Sequence, residues 1–188
     1  KSVSVLGAQG PDSVTIIAAN AASPTNWVND GHSLLIRSGD GDKISVDLGA
    51  GTDRVTMASG GTAELALGTG MNFVTLQSGT AIIKGEAAKT DFVHITANAL
   101  PTTPSGSTGY DGHTQVYLTD TALTPEIVVQ DGDRVFLDNG LTANVRISDP
   151  NAVFSVGSFG TGYLTYGSQS ELFKVSTSSS GELTVSAL

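Results

Sequence analysis

The sequence predicts an all-β chain wound as a parallel β-solenoid or β-roll with two longer loops. Three observations carry this. Short apolar segments rich in β-branched residues recur along the chain, separated by glycine, serine, asparagine or aspartate. No window shows a helical apolar stripe with a cap at each end. A glycine-containing turn followed by a short strand returns so regularly that two strands and two turns make a coil of roughly 18 to 20 residues. Such a coil cannot bury its apolar side alone, whereas stacked coils share one core. An antiparallel β-sandwich, which also spaces short strands at roughly 8 to 12 residues, is the alternative. Glycines placed immediately before strands, as in Gly49-Ala50-Gly51, Gly60-Gly61 and Gly68-Thr69-Gly70, favour the solenoid.

Taken in order, residues 3–6, 14–17, 34–36, 44–48, 55–57, 65–67, 74–76, 81–83 and 93–95 read as strands. Glu86-Ala87-Ala88-Lys89 has room for one helical turn. Val55, Leu65 and Val74 each open a strand after a turn, and with Leu76 and Val145 they are expected in the core. Val145, Val153, Leu164, Phe173 and Leu183 continue the pattern less evenly. Residues 176–181 read as a turn before a last strand, and the uncharged, aromatic stretch 157–167 as a segment that closes the core or faces a partner.

One word repeats. Leu6-Gly7-Ala8-Gln9-Gly10-Pro11-Asp12-Ser13-Val14-Thr15-Ile16 is matched by Leu48-Gly49-Ala50-Gly51-Thr52-Asp53-Arg54-Val55-Thr56-Met57, and more loosely by Leu67-Gly68-Thr69-Gly70-Met71-Asn72-Phe73-Val74-Thr75-Leu76. Its centre is an acid or amide, any residue, then Val, a polar residue and an apolar one. The acid or amide can bond its own backbone in the turn. The two apolar positions share one face of the strand. A longer echo links Asp12-Ser13-Val14 to Asp91-Phe92-Val93, and Asp30-Gly31-His32 to Asp111-Gly112-His113. The expected plan is therefore one domain, 1–188, with an internal duplication at approximately 1–90 and 91–188. Each copy carries a longer loop, near 18–29 and 98–110. About four coils would separate the two copies, too far for His32 and His113 to share an ion. His94 falls at a polar alternation position and reads as a sheet-surface residue.

Composition narrows function. The 188 residues contain 18 acidic and 9 basic side chains, a formal charge of −9 that disfavours nonspecific binding to nucleic-acid phosphates. The absence of cysteine removes disulfides, thiolate metal sites and cysteine nucleophiles. No apolar run reaches the length of a membrane-spanning helix.

Residues 39–79 resemble the glycine- and aspartate-rich nonapeptide repeats of RTX proteins. Gly49-Ala50-Gly51-Thr52-Asp53-Arg54-Val55 matches best, while Gly68-Thr69-Gly70-Met71-Asn72-Phe73-Val74 places Asn where that family has Asp. The resemblance implies a parallel β-roll with calcium in its turns. The densest acidic cluster, Asp40, Asp42, Asp47 and Asp53, supplies the candidate calcium ligands, with turn carbonyls to complete the shell. Asp131, Asp133 and Asp138 form a thinner cluster. The competing reading is that these aspartates cap turns.

Catalytic motifs are absent: no Gly-x-Ser-x-Gly elbow, no His-Glu-x-x-His pair and no phosphate loop. A glycosidase would need two carboxylates about 5 to 9.5 Å apart, for which Asp42 and Asp53 are the candidates. Trp27 and Tyr110, one in each longer loop, are the candidate ligand-binding aromatics. The expected function is an extracellular, cell-surface or virion-surface structural or adhesive module: a surface-layer piece, an adhesin segment or a fibre. The alternative is a polysaccharide-binding or polysaccharide-processing domain. Both ends read as uncapped strands, so expected partners are further copies or neighbouring repeats through the solenoid ends, or a glycan.

Overall fold

The computed structural model describes residues 2–6, 13–17, 33–37, 42–47, 53–58, 61–68, 70–85, 91–97, 112–148, 151–166 and 172–188. Among them there are strands, turns and bends, and no helix. The strands begin with β1 (Ser2–Leu6), β2 (Ser13–Ile17), β3 (Ser33–Arg37), β4 (Lys43–Asp47), β5 (Arg54–Met57) and β6 (Thr62–Ala66). They continue with β7 (Gly70–Leu76), β8 (Thr80–Lys84), β9 (Asp91–Thr96), β10 (Gly112–Leu118), β11 (Glu126–Val129) and β12 (Arg134–Leu137). The last are β13 (Thr142–Ile147), β14 (Phe154–Ser158), β15 (Gly162–Tyr166), β16 (Leu172–Thr177) and β17 (Leu183–Ala187).

Two sheets result. The first runs β1-β3-β5-β7-β10-β9-β12-β14-β15 and the second β2-β4-β6-β8-β11-β13-β16-β17. Every pairing among β1 to β14 is parallel. The chain is thus a parallel β-solenoid, as the glycine-turn and short-strand word predicts. Alternation places one face of each strand inside. In the first sheet, Leu34, Val55, Val74, Val116, Ile95 and Leu137 stack in one row. Facing them in the second sheet are Val46, Leu65, Ile83, Ile127, Val145 and Phe173. All twelve belong to one continuous buried core. Each such aliphatic contributes about 1.5 to 3 kcal/mol on burial. The expected core residues Val55, Leu65, Val74, Leu76 and Val145 are all among the buried.

The winding departs from a simple spiral at one place. β10 is inserted between β7 and β9, pairing Val116 with Val74 on one side and with Ile95 on the other. β9 therefore lies one strand farther along the first sheet than its place in the chain implies, while β8 and β11 remain neighbours in the second. The insertion keeps the apolar row unbroken. It also changes the expected spacing of the histidine segments. β3 and β10 lie three strand intervals apart, about 14 Å, where an uninterrupted spiral would give four coils. The echoed words occupy unlike places, Val14 on β2 in the second sheet and Val93 on β9 in the first. The two longer loops lie outside the described residues.

The expectation that solenoid coils continue through Leu164, Phe173 and Leu183 is corrected at the last strands. β14 and β15 form an antiparallel hairpin, β16 runs antiparallel to β13, and β16 and β17 form a second hairpin. The physical reason is the turn chemistry. Gly162 and Gly181 take positive φ in tight turns that reverse the strand within its own sheet instead of passing it to the other. Val153 does not open a strand; it lies exposed just before β14. Tyr166 reaches the core and stacks on Phe154 at 5.8 Å, so the aromatic stretch partly closes the stack. The turn expected at 176–181 starts two residues later, since Ser176 and Thr177 still belong to β16, and β17 follows it.

Candidate functional site on the corners and outer faces

Successive coils pass between two sheets of parallel strands, so the stack has two corners. Asp42 precedes β4 in the second sheet and Asp53 precedes β5 in the first, which sets them on opposite corners. The intervening five-residue strand spans about 16 Å, beyond the separation of a glycosidase pair. Both side chains are buried, whereas Asp47 lies exposed on the outer face of β4. Asp40, Trp27 and Tyr110 lie outside the described residues. Among the described residues, no group of three or more His, Cys, Asp or Glu is placed to hold a metal ion.

The buried acid or amide before a strand has a visible structural task. The backbone N–H of Asp53 donates to Asn72 Oδ1 at 3.3 Å, one coil along. Asn72 Nδ2 donates in turn to the carbonyls of Leu67 and Gly68, each at 3.4 Å. Gly68 and Gly70 take positive φ around this corner. The device recurs at Asp133. Its Oδ1 accepts from the Asp91 N–H at 2.8 Å and its Oδ2 from the Gln130 N–H at 2.7 Å. Burial pushes the Asp133 carboxyl above the ordinary aspartate range; the two N–H donors oppose this, and the neighbouring Asp131 charge adds to it.

The outer face of the first sheet carries a row in register: Arg54, Phe73, Gln115, His94, Phe136, Gly157 and Tyr163. The Arg54 guanidinium sits over the Phe73 ring at 4.8 Å. His94 Nε2 and Asp138 Oδ1 are 2.8 Å apart, and the Phe136 ring meets His94 edge-on at 5.5 Å. Phe159 meets Phe136 edge-on at 4.9 Å and remains 71% exposed. His94 is thus a surface residue of the sheet, as its alternation predicts. The cluster draws on β9, β12, β14 and β15, which the β10 insertion and the final hairpins bring together. Linear spacing carries no signal for it.

The outer face of the second sheet bears an open groove of about 660 Å³, lined by aliphatic side chains and two ion pairs. Glu64, Ile82 and Glu126 stand in one row across β6, β8 and β11. Two residues along each strand, Lys84, Val128 and Arg146 form a parallel row across β8, β11 and β13. Lys84 Nζ donates to Glu64 Oε2 at 2.7 Å. Arg146 grips Glu126 with two bonds, Nε to Oε1 at 2.5 Å and Nη2 to Oε2 at 3.3 Å. Gln130 and Ser148 line one end. The Lys84 ammonium holds the Glu64 carboxyl below its usual range. Sequence reasoning passed over these four charges, although each pair is separated by the same interval of 20 residues.

No family model matches the chain, and no curated protein or solved structure matches it.

Proposed function

We propose that this chain is an extracellular structural or adhesive repeat module, of the kind that builds surface layers, adhesin segments or fibres. The observation that carries the reading is the division of labour in the coils. Inward positions form one uninterrupted apolar core, and the corner acids and amides answer backbone donors of adjacent turns. Asn72 and Asp133, both buried at the corners, are thereby engaged in holding the fold. The nine-stranded sheet spans about 40 Å, a stiff body suited to spacing or presenting surfaces.

Two measurements test the reading. Pulled from end to end in a force microscope, the chain should resist as a mechanically strong unit. Beads coated with it should adhere to protein- or glycan-bearing surfaces. Turnover of any polysaccharide, detected as newly released reducing ends, would replace this reading with an enzymatic one. A chain that unfolds at negligible force and adheres to nothing would remove it.

A further inference from the structure

We propose that the groove on the outer face of the second sheet binds an extended, uncharged polysaccharide strand. This goes beyond the structural reading and does not depend on it. The argument begins with charge. In a chain of formal charge −9, the groove is lined by two carboxylates and two cations, matched in pairs. A polyanion would meet Glu64 and Glu126, and a polycation would meet Lys84 and Arg146. Neither is drawn in, since each lining charge already has its opposite at hydrogen-bond distance.

What the pairs offer instead is donors and acceptors at fixed intervals. Glu64 and Glu126 are two strand spacings apart, about 10 Å, as are Lys84 and Arg146. Vicinal hydroxyls of a pyranose both donate and accept, so one ring can bridge a carboxylate and the cation beside it. Between the pairs lie the half-buried aliphatic groups of Ile82 and Val128, a floor for the apolar face of a sugar ring. The groove is open and follows the stacking direction, so a chain longer than its contact length can lie across it. An extended peptide is the competing occupant. It would need an unpaired strand edge for its main chain, whereas this groove lies on a face whose strands are all paired.

The Lys84–Glu64 pair also argues against Glu64 as a general acid. A general acid needs a carboxyl held protonated near neutrality. Glu64 is instead pushed toward the ionised form by Lys84.

The test is titration calorimetry of the whole chain with cellohexaose and xylohexaose, with hexagalacturonate and a neutral Ser-Gly-Thr hexapeptide as comparison probes. A screen across neutral oligosaccharides on an array runs beside it. Two variants accompany it: Ile82→Lys, which places a charge on the floor between two glutamates, and the double change Glu126→Gln with Arg146→Gln. Circular dichroism and melting identify any variant that fails to fold. Neutral oligosaccharides should bind, and each folded variant should bind about tenfold more weakly, Ile82→Lys by losing the apolar floor and the double variant by losing charge-assisted contacts. Absence of binding by every neutral oligosaccharide at about 1 mM would overturn the proposal. So would tighter binding of hexagalacturonate, binding of the peptide alone, or affinity unchanged in both variants. Failure of the pulling measurement, or of adhesion to protein-bearing surfaces, would leave this result untouched.

Discussion

Lys84 donates to Glu64 at 2.7 Å across the second sheet, and Arg146 repeats the relation with Glu126 at the same interval of 20 residues. One coil of this sheet advances Thr62 to Thr80 and Glu126 to Asn144, and the cation sits two positions farther along its strand. The interval is therefore one coil plus one turn of the pleat. That geometry brings opposite charges diagonally together on the same face.

The two pairs differ in setting, and their strengths should differ too. Glu64 and Lys84 are both about half exposed, while the Glu126 side chain is only 13% exposed. A double-mutant cycle in urea should give a coupling of about 0.5 kcal/mol or less for the first pair. The bidentate, better-shielded second pair should give about 1 kcal/mol or more. Swapping the charges of Glu126 and Arg146 should restore most of what Glu126→Lys alone loses. Equal couplings for both pairs would show that shielding at Glu126 does not matter.

The two C-terminal hairpins are locked by glycines. Gly157 lies under the Tyr163 ring, and a Cβ there would stand 2.8 Å from that ring. At Gly160 a Cβ would stand 2.6 Å from the Gly181 backbone, where no flexible side chain can yield. Ser158 and Thr161 both donate to the Gly181 carbonyl, so this contact joins the β14–β15 turn to the β16–β17 turn. Gly160→Ala should cost about 1 to 3 kcal/mol and selectively increase amide exchange in β15 and β17. Protection unchanged in those strands would contradict the lock.

Much of the architecture is legible in the sequence because the physical signal is local. Val55, Leu65 and Val74 announce an inward face through alternation, and their turns are announced by glycine. The insertion of β10 is not legible. Asp91-Phe92-Val93 and Asp53-Arg54-Val55 spell the same turn and strand, and nothing in that word states which neighbour the strand will choose. The reversal after Ser158 is hidden for a related reason. A turn rich in glycine serves a hairpin as readily as a corner, and the choice falls to long-range packing such as Tyr166 on Phe154. The groove is not legible either, because its charges belong to separate coils.

The valine row predicts a severe core effect. Val74 is fully buried between Val55 and Val116. Val74→Asp would place a carboxylate there with no opposite charge, and such burial costs several kcal/mol. Cooperative thermal unfolding should be lost, or the midpoint should fall by tens of degrees. Because Val116 joins β7 to β10, exchange protection should collapse first around β5, β7 and β10. A midpoint within a few degrees of the parent would place Val74 outside the core.

Acidity should move stability through Asp133 in a direction opposite to the usual one. Its folded carboxyl titrates above the ordinary aspartate value, chiefly because of burial. Between the two values the folded chain binds more protons than the unfolded chain, so stability from this group falls as pH rises through the window. Above the window the penalty is fully present. Glu64, lowered by Lys84, has the opposite sign, losing its contribution as pH falls, but it is a surface group and weighs little. Asp133→Asn should flatten the Asp133 limb in urea titrations above about pH 4. A limb unchanged by this substitution would place the protonation elsewhere.

Asp53 separates a turn cap from a calcium ligand. One coil along, the corresponding place, within β7 and just before Phe73, holds Asn72, whose amide oxygen accepts the Asp53 N–H. An amide therefore serves that corner without a charge. If Asp53 is likewise a cap, Asp53→Asn should change stability by no more than about 1 kcal/mol, whereas Asp53→Leu should cost about 1 to 3 kcal/mol by removing its oxygens altogether. A calcium ligand behaves otherwise. Binding to the folded state raises the melting temperature with ion concentration, and exchanging a carboxylate for an amide weakens that rise. Melting curves in chelator and in millimolar calcium, for the parent chain and both variants, distinguish the two. The cap predicts the same calcium response in the parent and in Asp53→Asn. A calcium-dependent rise in the parent that disappears in Asp53→Asn would make Asp53 a metal ligand.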